Sequence, residues 1–319
     1  MPHVNGNHSR PGGRFRQPRR RGLLGVAALA LLVPLGPACG GSSSGDDRPL
    51  VVATHSILGD MATNVFGDTA TVEVVMPAGA DPHEFEPSAA DVALLNEADL
   101  VVANGLGFEV GLVDAVDAVA EDGVDVLELG EQLDPLPLAE GDGEDPHWFT
   151  DPRRTVRAVG LIADAAADVA GIDTHAVGAQ AEAYADAVTT ADAVIGDDLL
   201  AIPVGDRQLV TNHEVFGYFA DRYEFEVIGT VIPSGTTLAE PSSADLSALV
   251  DTIHETGVPA IFADTSSSRD LAEVLADETG EDIAVVELFS ESLGEPGSGG
   301  ETYLQLIRTN ADRILGALT

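Results

Sequence analysis

Three histidines in this 319-residue chain stand in contexts that favour chemistry over packing. His83 lies in Asp81-Pro82-His83-Glu84-Phe85-Glu86-Pro87-Ser88. His147 lies in Asp145-Pro146-His147-Trp148-Phe149-Thr150-Asp151-Pro152. His213 lies in Thr211-Asn212-His213-Glu214-Val215-Phe216-Gly217-Tyr218-Phe219. Neutral imidazole binds Zn(II) at about 2.0–2.1 Å, and four donors complete a tetrahedron. The three sit 64 and 66 positions apart, which excludes a local zinc finger and demands a site assembled by the fold. The single cysteine, Cys39, excludes a cysteine-based cluster. The remaining donor is then a carboxylate. Glu291, in Leu288-Phe289-Ser290-Glu291-Ser292-Leu293, is the best candidate, with Asp264 as the alternative. Asp264 could instead hydrogen-bond a ligand's free ring N–H.

Positioning these side chains requires strand-end loops. From residue 49 onward, short β-branched runs alternate with Ala-rich segments of helical period. The expected strands are Leu50–Ala53, Val72–Met76, Leu100–Ala103, Val124–Leu127, Gln208–Thr211, Glu226–Val231, Ala260–Ala263 and Ile283–Leu288. Helices are expected over Ser88–Glu97, Ser242–Thr256 and Arg269–Thr279, two of them opened by Ser88-x-x-Asp91 and Ser242-x-x-Asp245. This alternation predicts an α/β fold of two (β/α)4-type lobes with mostly parallel sheets. Residues 151–202 carry no strand pattern. They predict a helix near 152–170 and, after Gly171-Ile172-Asp173, a long one joining the lobes. The expected organisation is a leader and tether over 1–47, a first metal-binding lobe over 48–173, a linking helix over 174–202 and a second lobe over 203–319. Ligands in open α/β sheets bind beyond the carboxyl ends of strands, where all three histidines fall.

Charge and the leader bound the setting. The chain carries 15 basic and 54 acidic residues, −39 overall, and every basic residue is Arg. Six arginines precede residue 39, so removing that leader leaves nine against the same 54, a balance of −45. So anionic a surface argues against nucleic-acid binding. Arg19-Arg20-Arg21, the apolar run Val26–Leu35 and the small residues before Cys39 describe an export signal, through the general or the twin-arginine route. Cys39 resembles a lipobox cysteine followed by a Gly/Ser tether, although Gly36 stands where an aliphatic residue is usual. An ordinary cleaved signal with an incidental cysteine is the alternative.

Residues 49 to the C-terminus resemble the solute-binding component of ATP-driven zinc and manganese importers, metal-receptor lipoproteins with one long linking helix. The motifs around His83, His147 and His213 carry the resemblance, with weaker echoes in Asn104-Gly105-Leu106-Gly107-Phe108-Glu109 and Ser298-Gly299-Gly300-Glu301-Thr302-Tyr303-Leu304. It implies a monomeric, non-enzymatic receptor outside the cytoplasmic membrane, anchored through Cys39 or free in the periplasm. Its partners would be an ABC permease and that permease's ATPase subunit. The captured ion would be Zn(II), with Mn(II) as the alternative, held by His83, His147 and His213. Glu291 falls where the family commonly has Asp. Two further departures are Trp148 with Phe149, where the family's Trp sits one place later, and an acidic, His-free segment Glu140–Asp145 in place of a His-rich loop.

Other readings remain open on sequence alone. Three imidazoles plus water would make a secreted zinc hydrolase. However, His213-Glu214 lacks the second histidine of a His-Glu-x-x-His helix, and no Gly-x-Ser-x-Gly elbow is present. Whether Glu291 or water takes the fourth position separates the two. An adhesin on the same fold is a third reading. No Asp-x-Asp-x-Asp-Gly loop supports calcium. His55 is expected to line the crevice, His175 and His254 to be solvated, and Phe216, Tyr218 and Phe219 to pack beneath the His213 turn.

Overall fold

The computed structural model describes residues 48–139 and 143–319. The export signal, Cys39 and its tether, and Glu140–Asp142 of the acidic segment lie outside the described residues.

The first half runs β1 (Leu50–His55), α1 (Ser56–Phe66), β2 (Thr71–Met76), α2 (Ala89–Glu97), β3 (Leu100–Ala103), α3 (Val113–Glu121) and β4 (Asp125–Glu128). Two helices follow, α4 (Pro152–Ala165) and α5 (Thr174–Leu199). The second half runs β5 (Gln208–Thr211), α6 (Gly217–Tyr223), β6 (Glu226–Thr230), α7 (Ser243–Thr256), β7 (Ala260–Asp264), α8 (Asp270–Thr279), β8 (Ala284–Leu288) and α9 (Tyr303–Leu318). All eight expected strands form, with ends moved by two residues at most.

The strands make two four-stranded sheets, ordered β2-β1-β3-β4 and β6-β5-β7-β8, with every pairing parallel. Parallel strands are covered on both faces, so their inner members read as unbroken apolar runs. β3 and β7 are buried along their whole length, and β1 from its second residue. The two sheets share one strand order, a duplication of topology with no short repeat in the sequence to announce it. The helix that follows the second strand of each sheet is opened by the same device. Ser88 and Asp91 cap one another's backbone N–H groups, and so do Ser242 and Asp245.

α5 has 26 residues and extends about 39 Å at 1.5 Å per residue. Asp173 caps it by accepting from the N–H groups of His175 and Ala176. Its buried stripe, Val177, Ala181, Tyr184, Val188, Asp192, Ile195 and Leu199, keeps helical spacing. Asp192 is the polar member, and the second lobe satisfies it. Arg222 donates twice to its carboxylate at 2.8 and 2.7 Å, and the Tyr223 hydroxyl donates at 2.9 Å. α4 is shorter than expected, ending at Ala165. Ala167, Asp168 and Val169 then bond three residues back, a tightened turn that drops Val169 into the core.

One continuous apolar core contains Val51 of β1, Val188 of α5, Phe262 of β7 and Ile314 of α9. Two smaller clusters, one per sheet, line the far faces. The lobes therefore share their central core instead of hanging on a bare connector. Among the described residues, no helix is long and apolar enough to cross a membrane.

Candidate metal centre

The loop after β2 delivers His83. Asp81 Oδ1 accepts the His83 backbone N–H at 2.9 Å, closing a turn around Pro82. His147 repeats this arrangement, with Asp145 Oδ1 accepting its backbone N–H at 2.9 Å. The same oxygen lies 2.7 Å from His147 Nδ1. An ionised carboxylate only accepts, so Nδ1 carries the proton and Nε2 is turned inward as a donor to an ion. His213 follows β5, and its carbonyl accepts from the Thr211 hydroxyl at 2.7 Å. Glu291 follows β8 on a segment anchored by Asn310 of α9. The Asn310 side chain accepts from Phe289 N–H at 2.9 Å and donates to its carbonyl at 2.8 Å.

These four side chains converge. Single donor atoms of His83, His147, His213 and Glu291 all lie within 4.8 Å of one another, and all four residues are buried. Glu291 Oε1 is 2.9 Å from His213 Nε2 and 3.3 Å from His147 Nε2, while Oε2 is 3.3 Å from His83 Nε2. The imidazole rings are mutually edge-on, with centroids 5.2 to 5.9 Å apart. None of the three Nε2 atoms, nor either Glu291 oxygen, has a hydrogen-bond partner. Buried polar atoms left in that state cost free energy that a structure normally avoids. A divalent cation among them would satisfy all at once, so the donor set fits a four-coordinate ion.

Electrostatics agree. Burial opposes ionisation of Glu291, but His147 and His213 outweigh it and hold the carboxyl well below its usual range. Burial likewise disfavours a charged His147, yet the carboxylates of Glu291 and Asp145 prevail and push its pKa up to about 10. His213 is lowered, chiefly by burial. Glu291 and His147 thus each favour the other's charged form, the carboxyl held low and the imidazole pushed up.

Asp264, the alternative fourth donor, is buried but stands outside the cluster. Its carboxylate accepts from Ser266 N–H and Oγ at 2.8 and 2.9 Å and is not among the converging donors. Asp145 is the carboxylate behind a ring of the cluster, that of His147. His55 lies beside Phe108 and Phe149, whose rings also flank His147, and is not part of the cluster. Burial drops its pKa to about 3, so it is a neutral wall residue. His175 is exposed, and His254, also largely exposed, ties α7 to the Thr279 carbonyl at the end of α8. Phe216, Tyr218 and Phe219 are buried as expected. Sequence reasoning gave no role to Asp81, Asp145 or Phe108. The repeated Asp-Pro-His was the available signal, because Asp two residues before His is placed to accept its N–H.

Two parallel-sheet lobes on a common helix, enclosing a buried three-imidazole, one-carboxylate cluster, define a metal-receiving solute-binding protein. The chain belongs to the family "ZnuA: Zinc-uptake complex component A periplasmic", whose pattern matches residues 51–317. The manganese-binding lipoprotein MntA of Halalkalibacterium halodurans is 31% identical over 297 residues, covering 91% of this chain and 97% of its own. Zinc-binding protein TroA of Treponema pallidum is 30% identical over 301 residues, covering 92% and 96%. The solved structure of TroA matches with a TM-score of 0.80 at 29% identity, over 85% of this chain and 99% of that one. The protein is a receptor and not an enzyme, an extracytoplasmic substrate-binding component that works with a membrane permease and its ATPase.

Proposed function

We propose that the chain captures Zn(II) through Nε2 of His83, His147 and His213 and the carboxylate of Glu291, and hands it to the permease for import. The observation that carries this reading is the convergence of four buried donors with no hydrogen-bond partners of their own. Three nitrogens and one oxygen suit Zn(II) in tetrahedral geometry, and the Irving–Williams order favours it over Mn(II). Three neutral imidazoles and one carboxylate give the loaded site one negative charge against two positive ones. Glu291 takes the position where a hydrolase would keep water, which supports binding over catalysis.

Mn(II) is the second reading, supported by the manganese-binding lipoprotein among the relatives. Elemental analysis of protein purified without added metal, followed by competition titration of the two ions, decides between them. Residues 48–173 and 203–319 serve as the two gripping lobes, with 174–202 as the connector. We further infer that the mature protein is a monomer held at the outer face of the cytoplasmic membrane by lipid on Cys39. Mass spectrometry of the mature N-terminus tests that inference. An unmodified first residue beyond Cys39 would overturn it.

A further inference from the structure

Each Asp-Pro-His loop of the first lobe is gripped by one hydroxyl of the second lobe. Asp81 Oδ1 holds the His83 backbone, and its other oxygen, Oδ2, accepts from the Thr237 hydroxyl at 2.8 Å. The Asp145 carbonyl, two residues before His147, accepts from the Tyr218 hydroxyl at 2.6 Å. The same hydroxyl accepts from Leu136 N–H at 3.0 Å, and Asp145 N–H donates to the Leu136 carbonyl at 2.7 Å. Tyr218 therefore pins both ends of the 136–145 segment. It stands five residues after His213, in the first turn of α6, and Glu214 beside His213 also accepts from Ala139 N–H at 2.9 Å. At Gly217 a Cβ would come within 2.8 Å of Asp145 Oδ2, so only glycine admits the carboxylate this close.

Resting on the site proposed above, we propose that Thr237 and Tyr218 are positioning residues that hold His83 and His147 on the ion and so set its rate of release. The physical basis is shared geometry. The group that fixes each ligand histidine's loop is bonded across the lobe boundary, so separating the lobes breaks the hydroxyl contact and frees the loop in one motion. Removing a hydroxyl loosens the loop while all four donors remain. Each hydroxyl makes a hydrogen bond across the lobe boundary, at 2.8 Å for Thr237 and 2.6 Å for Tyr218, and each is worth about tenfold in rate.

The test is zinc release into excess chelator, followed by stopped flow, for the exported chain and its Thr237→Val, Tyr218→Phe and Thr237→Ser variants. Circular dichroism of each variant first establishes that it is folded. Release is expected to be about tenfold faster for Thr237→Val and Tyr218→Phe, with Thr237→Ser restoring the original rate. The Co(II) ligand-field spectrum should change in the first two and recover in the third. Release within twofold of the unmodified protein for folded Thr237→Val and Tyr218→Phe would overturn the proposal. His213→Ala is the control for the site itself. If that variant loses zinc while the hydroxyl variants release normally, only this inference fails. If it retains zinc at full affinity, the site assignment fails instead.

Discussion

The loops around His83 and His147 begin alike. Asp81 and Asp145 each accept the backbone N–H of the histidine two residues on, at 2.9 Å in both. Beyond that bond they differ. Asp145 also reaches its histidine's Nδ1 at 2.7 Å, whereas His83 Nδ1 has no partner and Asp81 spends its second oxygen on Thr237. The carboxylate of one motif thus orients a ring and fixes its proton, while the carboxylate of its twin bonds the opposite lobe, a tie that the His147 loop makes through the Asp145 carbonyl. The difference lies in what surrounds each aspartate. Asp145 is buried with its Oδ2 close against Gly217, and Asp81 is half-buried with the Thr237 hydroxyl in reach. A short motif specifies a backbone turn, and the neighbours decide what its side chain does.

The largest effects should follow from removing the imidazole of either loop, or that of His213. His83→Ala, His147→Ala and His213→Ala should each weaken Zn(II) binding by several orders of magnitude in calorimetric titration. Unchanged affinity would remove that residue from the site. With the ligands intact, a thousandfold excess of free zinc over its dissociation constant should raise the unfolding free energy by about 4 kcal/mol. That gain, read by thermal melting, should vanish in the same three variants.

Glu291→Ala should cost less than any histidine. Water can fill the vacated position, and without Glu291 the His147 proton that zinc must displace is held less tightly.

Acid dependence separates the two loops directly. The carboxylates of Glu291 and Asp145 push the His147 pKa up to about 10, and metal binding through its Nε2 requires that proton to leave. Below that pH, affinity should fall about tenfold per unit as acidity rises, with about one proton released per ion at neutral pH. Titrations in buffers of different ionisation enthalpy count that proton. Asp145→Asn should lower the His147 pKa and reduce the count, and by unsettling the ring it should weaken affinity about 10–100-fold. Asp81→Asn should leave the proton count unchanged and give the smallest loss in affinity. Equal proton counts in the two variants would erase the distinction between the loops.

The strands were readable because each is a short β-branched run bounded by turn residues, and parallel sheets bury both faces of such runs. The α5 helix was readable from an uninterrupted helical period after Gly171. His83, His147 and His213 stood out because histidine is scarce here and all three fall at strand ends or helix starts. The end of α4 was not legible, because tertiary burial of Val169 decides it. The sequence ranked Glu291 ahead of Asp264, but it could not show what occupies Asp264: that residue ends β7, and its carboxylate is taken by Ser266 two positions on.

What the amino-acid order determined by itself is local: strand and helix periods, the two Ser-x-x-Asp caps, and the Asp-Pro-His turns, each set by residues within a few positions of one another. The family resemblance rested on those same local patterns. Tertiary structure alone decided which aspartate carboxylate backs a histidine and which one bonds the other lobe. It also decided that residues 208 positions apart, His83 and Glu291, come within 3.3 Å. Such contacts depend on how two sheets and a shared core place their loops in space, and no nearest-neighbour rule along the chain contains that distance.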